Sequence, residues 1–536
     1  MNKGSNTSTK HRFLILGGGT AGWMAALLLD RAFPDANVSL IESSSIGTIG
    51  VGEGSTPALK SFLAAVGIPE HSWMPACEAT YKSGIEFRDW STAPGFESYF
   101  HPFLTHFDRD HIKALNFNAL LRRSGRSVDA HPDQFCYSHY LANRQLCPVT
   151  PYAFPFEVQY GYHFNAGLLA KKFKEVALER GVEWRDCKIS DVALSDTGDV
   201  SHLLTDDGQQ LDADFFIDCS GFASLITTKT LGVPYRSYSD ALFNDRAVTL
   251  ATEGEVTVST QTTAAALANG WAWRIPQQNR VGNGYVYSSH FCSEEQAEGE
   301  FLDYLKVNRP DVELRHISFE TGRVETVWNK NTLAVGLSQG FLEPLEATAL
   351  ALVQLTLAKF VREYAANGLT SRGSETLNRE VAEAFDGVKN YLQTHFLLSN
   401  REDSDYWRAC RANSAAMSSE LKAVLECWFA RGDLAKVLEE TGLGRHYKFN
   451  SWLYILTGMG IFPPEEKLSA ASVEEISKVP LEDIRQFFSK LTLNHLDQYE
   501  AFERLARGEE LSDPRERAAQ QDPLEELLGL GFAVSN

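Results

Sequence analysis

At 536 residues the chain exceeds what one hydrophobic core usually supports, so two domains, or one domain with a large elaboration, are expected. Its 43% hydrophobic and 22% charged residues are ordinary for a globular protein, and a formal charge of -20 removes nucleic acid and anionic membrane as default partners. The eight cysteines, at 77, 136, 147, 187, 219, 292, 410 and 427, form no CxxC pair and no Cys/His cluster at zinc spacing. Scattered thiols read as buried and reduced, which favours a cytoplasmic location and points to no metal. No run of 18 apolar residues occurs, and the N-terminus passes from a polar arm straight into a strand pattern, so neither a membrane span nor a cleavable leader is expected.

In chain order, residues 1–11 form the arm, RFLIL at 12–16 reads as a strand, GGGTAGW at 17–23 as a turn, and the following MAALLLDRAF as a helix. NVSLIE at 37–42 is the next strand, completing the opening of a βαβ unit. Residues 43–60 carry Gly47, Gly50, Gly52, Gly54 and Pro57, a stretch able to bring backbone amides against a ligand. A helix is expected over NAGLLAKKFKEVALERG, a hairpin around residues 206–208 and an apolar strand in DFFIDCSG; strands dominate from 245 to 330 and recur in TLAVGL. Pro344 suits a helix start, with Gly368 as the stop, and helix-sized runs follow near 375–398, 402–440 and 474–508. The expected organisation is a 12–370 α/β region and a 371–536 helical region.

Gly17, Gly19 and Gly22 satisfy GxGxxG between strand and helix, and Thr20 and Ala21 lie within it. Missing side chains permit the turn, the approach of a pyrophosphate and close helix packing, while the helix N-terminus offers free N–H groups. Glu42 ends the second strand 25 residues after Gly17, where a carboxylate can accept ribose hydroxyls; this disfavours NADP relative to FAD or NAD. Gly52, Asp218 and the turn beginning at Gly336 are further candidate cofactor contacts. The pattern does not distinguish nicotinamide from isoalloxazine.

GGGTAGW at 17–23, VGEGSTP at 51–57, YKSGIEF at 81–87, WAWRIP at 271–276 and FLEPLEATA at 341–349 together resemble the signatures of flavin-dependent halogenases of the tryptophan halogenase family, in order over roughly residues 12–365. The resemblance implies an α/β FAD-binding, Rossmann-like core with mixed β-sheet, plus a C-terminal mainly helical substrate region. It implies FAD used as FADH2, delivered by a separate NAD(P)H-dependent flavin reductase, and chloride or bromide oxidised to hypohalous acid. That oxidant passes inside the protein to an aromatic substrate. A homodimer is a family-level expectation with no sequence signal of its own.

By match to YKSG the family lysine is Lys82, and by match to EPLE the family glutamate is Glu346. An ammonium can hydrogen-bond hypohalous acid and draw electron density from the halogen, and a carboxylate can stabilise positive charge on the ring and take its proton. Apart from the resemblance, Lys82 reads as an ordinary solvent-facing strand or helix lysine and Glu346 as a carboxylate in the first turn of a helix. Glu343 reads as support for the turn. In the family, amides after the glutamate bind halide; members commonly have Ser-Thr-Gly there, whereas this chain has Ala347, Thr348 and Ala349. Thr348 and Ala349 can keep that role only if glycine's freedom of φ is not needed.

As a strand, WAWRIP turns Trp271 and Trp273 to one side while Pro276 stiffens the exit, the family's wall between flavin and organic substrate. His101 and Phe103 of HPF resemble the family's indole-sandwiching aromatics. Tryptophan-specific members also carry paired tyrosines, a glutamate and a Phe-Trp pair. Here His446 and Tyr447 fall near the Phe-Trp pair, while Ala435, Lys436 and Gly442 replace the zwitterion-binding groups. Tyr447, Trp452 and Tyr454 are candidate pocket residues, and indole or another neutral aromatic is expected over free tryptophan. The competing readings are a flavin-dependent aromatic monooxygenase and a non-catalytic flavin-binding protein.

Overall fold

A computed structural model describes residues 10–47, 53–105, 108–151, 158–255, 257–308, 312–511 and 522–529. The apolar run that follows Arg12 in the strand Arg12–Leu16 is explained by its central place in a six-stranded sheet. Phe13 and Ile15 enter the main core, while Leu14 and Leu16 enter a second cluster on the opposite face. Burial on both faces is what permits an apolar residue at each of these four positions. Its neighbours Asn37–Glu42 and Phe215–Asp218 run parallel to it, as do Glu183–Asp186 and Thr332–Ala334 outside them; only Trp328–Asn329 closes the sheet antiparallel. The helix Thr20–Ala32 follows the first strand, as the βαβ pattern requires.

A seven-stranded sheet holds the wall motif. Its order is Arg315–Ser318, Arg246–Glu253, Arg280–Tyr287, Gly270–Pro276, Gln261–Leu267, Gly84–Arg88 and Ser98–Pro102. A small sheet pairs Gly161–Phe164 with Thr80–Lys82 and with Glu53–Gly54. The expected hairpin at 206–208 is present, with Val200–Thr205 antiparallel to Gln210–Asp212. Gly52 lies outside the described residues.

Three helical expectations are corrected. Pro344 opens a single 3-10 turn, Pro344–Glu346, which stops where Ala347 takes a left-handed φ of 55°; the long helix then runs from Ala349 to Ala366. The 402–440 run divides into Asp405–Ala412, Ser419–Phe429 and Leu434–Thr441. Ser404, Ser418 and Asp433 accept N–H groups at the three starts, and Asn413 and Gly432 stand in the breaks between the helices. The 474–508 run likewise splits, with Pro480 immediately before Leu481–Leu491. Tyr391, Trp407 and Trp452, from the helical part, join the same core cluster as Phe13 and Trp23. All eight cysteines are free, and among the described residues no helix is long and apolar enough to cross a membrane.

Candidate active site

The glycine turn is shaped by its neighbours. Gly17 has φ 117°, and a Cβ on it would lie 2.1 Å from the Cys219 carbonyl oxygen; one on Gly22 would lie 1.9 Å from the Gly17 carbonyl oxygen. Gly19 differs, because among the described residues nothing stands within 4 Å of its Cβ position. It is also the N-cap of Thr20–Ala32, makes no side-chain cap bond, and is followed by no acidic residue in the first turn. These features leave an open, donor-rich helix end of the kind a pyrophosphate occupies. Gly22→Val is therefore expected to destabilise the fold by about 2 kcal/mol through overpacking. Thermal unfolding and flavin-fluorescence titration would check that loss together with weakened FAD binding.

Glu42 lies directly beneath this turn, its Oε2 only 1.6 Å from where a Gly18 Cβ would be. Its Oε1 accepts from Lys174 Nζ at 2.8 Å and Trp184 Nε1 at 2.9 Å, a clamp the sequence pattern did not reveal. Asp218 is placed nearby, but both its oxygens accept protein donors: Ser220 on one, the Ile226 and Thr227 amides on the other. Its carboxylate thus shapes the loop. Gly336 has φ 72°, and a Cβ there would come within 2.8 Å of Ala21 Cβ, so this second turn packs against the first helix beside Thr20 and Ala21. The residues present fit a dinucleotide: an open glycine, an uncapped helix end and a carboxylate with one oxygen unshared by those two clamping donors.

On the strand Gly270–Pro276, Trp271, Trp273 and Ile275 enter the main core while Ala272 enters a different cluster, which is the alternation a pleated strand imposes. The two indoles lie with centroids 6.0 Å apart, tilted by 54°. Gly284, opposite Trp273, leaves room for it: a Cβ there would be 2.1 Å from the ring. The Pro276 carbonyl accepts from Thr80 Oγ1 at 2.9 Å, joining the wall strand to the strand that carries Lys82.

Lys82 is fully buried, and its Nζ has no hydrogen-bond partner among the described residues. It stands 5.4 Å from the Phe103 ring centroid. A Cβ on Gly54 would be 3.2 Å from that Nζ and 3.8 Å from Ala347 Cβ, which sets the lysine beside the turn ending in Glu346. Burial pushes the Lys82 pKa down to about 7, with Glu346 pulling it the other way.

Burial by itself would raise the Glu346 pKa, but two histidines outweigh it and hold the group down at about 2. His101 Nδ1 lies 2.9 Å from Oε2 in hydrogen-bonding geometry. His395 Nε2 lies 3.0 Å from Oε1, the second imidazole against the carboxylate. His395 Nδ1 faces the Tyr391 carbonyl at 3.1 Å. That contact helps to fix the orientation of the His395 ring.

Beyond this carboxylate is an aromatic group. Tyr391 stacks on Tyr447 at 3.6 Å and 12°, meets Trp452 edge-on at 5.2 Å, and lies 6.0 Å from the His101 ring; Tyr454 is 6.5 Å from His101. Tyr447 Oη and Trp452 Nε1 are buried without partners among the described residues. Ala435 and Lys436 are exposed, so their side chains offer no clasp to a buried amino acid.

The structure thus gathers Lys82, Phe103, His101, Glu346, Tyr447, Trp452 and Tyr454 through pairwise contacts. His395 and Tyr391 were missed, although their spacing of four within a predicted helix put both on one face. His163 was also missed: it is buried between Thr80 and Thr262, and burial, then Lys82, holds its pKa well below the usual range. A single histidine in an apolar strand gives no signal of such a role. Ala349 has no left-handed φ, so replacing the family's glycine costs no backbone strain there. Thr348 and Ala349 form the start of an 18-residue helix with no side-chain cap bond. Glu294, Glu298 and His316 also converge, with ligand atoms within 4.8 Å, at the edge strand of the seven-stranded sheet.

The tryptophan halogenase family model matches residues 12–475. The chain is 36% identical over 442 residues to the 7-chloro-L-tryptophan 6-halogenase KtzR of Kutzneria sp. (strain 744), covering 77% of this chain and 84% of that protein. Among solved structures, the flavin-dependent halogenase Xcc4156 of Xanthomonas campestris superposes with TM-score 0.79 at 30% identity, covering 92% of this chain and 98% of that one. The tryptophan 6-halogenase SttH of Streptomyces toxytricini gives TM-score 0.79 at 31% identity, covering 92% and 99%.

Proposed function

The chain belongs to the tryptophan halogenase family and is a flavin-dependent halogenase; from that premise we propose that it halogenates a neutral, electron-rich aromatic, indole or an indole derivative, at Lys82 and Glu346. The observation that carries the reading is Lys82 itself: a lysine nitrogen fully buried, unpartnered among the described residues, and beside the turn of a carboxylate braced by two histidines. Such a costly placement is a signature of function rather than stability.

Gly17, Gly19, Thr20, Ala21, Gly22, Glu42 and the Gly336 turn would hold FAD, which, delivered reduced by a separate NAD(P)H-dependent reductase, supplies the oxygen chemistry that turns chloride or bromide into hypohalous acid. The Thr348 and Ala349 amides, at a helix start, would hold the halide. Trp271, Trp273 and Pro276 form the wall that keeps the organic ring away. The Lys82 ammonium donates to the oxygen of hypohalous acid and draws electron density from the halogen. As the ring carbon takes the halogen the oxygen–halogen bond breaks, and the departing hydroxide takes a proton from the Lys82 ammonium and leaves as water. The ring proton passes to Glu346, with His101 and His395 fixing its oxygens, and returns to Lys82 to close the cycle. His101, Phe103, Tyr447, Trp452 and Tyr454 offer aromatic surface to a flat guest.

Two of the relatives named above, KtzR and SttH, are by name halogenases of chlorotryptophan and tryptophan. The preference for a neutral ring here rests on Ala435, Lys436 and Gly442 standing where tryptophan-binding members carry a zwitterion clasp. The test supplies reduced FAD, oxygen, and chloride or bromide with indoles and free tryptophan, and identifies products by mass spectrometry. Bromide and non-zwitterionic indoles are expected to outperform chloride and tryptophan. Efficient chlorination of tryptophan would overturn the substrate assignment; a hydroxylated product without halide would favour a monooxygenase; and no product with any ring would favour a flavin-binding protein.

A further inference from the structure

Glu343, three residues before Glu346, has no part in the chemistry above, yet it is fully buried. Its Oε2 accepts from Trp271 Nε1 at 2.7 Å and from Asn244 Nδ2 at 2.9 Å. The Asn244 amide is oriented in turn by Tyr406, whose hydroxyl donates to its Oδ1 at 3.0 Å. Tyr406 belongs to the helix Asp405–Ala412, so one polar chain runs from the helical region to the wall strand. The second wall indole is different: Trp273 Nε1 has no partner among the described residues. One of the two rings is tied, and the tie is a carboxylate on the turn that also carries Glu346.

We propose that Glu343 is the positioning residue of the wall: it fixes the Trp271 indole relative to the Glu346 turn and so sets what fraction of the flavin-derived oxidant reaches the substrate. This rests on the halogenase reading for its consequence, but not for the anchor. Both donors, the Trp271 indole and the Asn244 amide, converge on Oε2, while Oε1 is buried without a partner among the described residues. A donor held this way fixes one geometry because tilting the ring would leave its N–H unpaired. A wall held only by packing could tilt, as a T-shaped or offset aromatic pair does at little cost. Burial pushes the Glu343 pKa up to about 7, the two hydrogen bonds opposing it, so a neutral amide with one carbonyl acceptor is a fair replacement.

The test uses Glu343→Gln, Glu343→Leu and Trp271→Phe. In the protein without flavin, the ultraviolet resonance Raman difference between wild type and Trp271→Phe isolates the Trp271 N–H signature. Glu343→Gln should retain it, and Glu343→Leu should move it to the position of an unbonded indole. With reduced FAD, oxygen, bromide and indole, halogenated product per reduced FAD should fall about tenfold in Glu343→Leu, with hydrogen peroxide rising in its place, and stay within about twofold of wild type in Glu343→Gln. Should Glu343→Leu not fold, Trp271→Phe, which deletes the N–H and keeps a ring, must itself lower product per reduced FAD. An unmoved Raman band in folded Glu343→Leu, equal behaviour of the Gln and Leu variants, or an unchanged product ratio in Trp271→Phe would overturn the proposal. A wild type that halogenates nothing would remove the consequence along with the halogenase reading, while the Raman band would still decide the anchor.

Discussion

Replacing Lys82 by methionine is expected to lower halogenated product formation by about a thousandfold while FAD still binds, because the polarising donor disappears and the glycine turn is untouched. The same variant should be the more stable protein. Lys82 sits at about 7 when folded against an ordinary 10.5, so below pH 7 the folded state carries a charge that burial disfavours. Removing it is expected to raise the unfolding free energy by roughly 3 kcal/mol at pH 6, and the gain should shrink as pH rises from 7 toward 10.5, where the wild-type amine is already neutral. Urea unfolding of both proteins at pH 6 and pH 9 checks it. If the ammonium is the working form, single-turnover halogenation by the wild type should also fall as pH rises through 7; a rate that climbs through that window would assign the work to the amine.

Glu346→Gln is expected to slow halogenation by about a hundredfold, since an amide neither takes the ring proton nor balances its positive charge. Its folded pKa of about 2 lies below the ordinary 4.5, so ionised Glu346 stabilises the fold above pH 4.5, and that contribution is lost as pH falls through 2. Glu346→Gln should therefore lose up to about 3 kcal/mol of stability at pH 7 and show a flatter acid limb between pH 4.5 and 2. The opposite signs for Lys82 and Glu346 follow from their neighbours. The carboxylate has two histidines at about 3 Å, and the lysine has no hydrogen-bond partner among the described residues. A stability loss on Lys82→Met, or a gain on Glu346→Gln, would contradict that account.

Much of this was legible in the residue order. RFLIL followed by GGGTAG announced a strand, a phosphate-sized turn and a helix, because each step depends on neighbours within a few positions. WAWRIP likewise announced a two-indole face through strand alternation alone. The helical region read less well. Residues 402–440 read as one helix-sized run, and the breaks fall at Asn413 and Gly432, with Ser418 and Asp433 capping the helices that restart after them. Asp218 was singled out for its place after a strand, whereas its carboxylate is taken up by the loop it folds.

The sequence by itself determined the local devices: a glycine turn, a pleated indole pair, and a Pro-Leu-Glu turn, each set by backbone geometry over a few residues. Only the tertiary structure decided the company those devices keep. Glu42 meets Lys174, Trp271 meets Glu343, and Glu346 meets both His101 and His395, partners 132, 72, 245 and 49 positions apart in chain number that no periodicity relates. Side-chain charge and proton affinity depend on what lies within a few ångströms in space, and sheet order and helix packing bring those groups together.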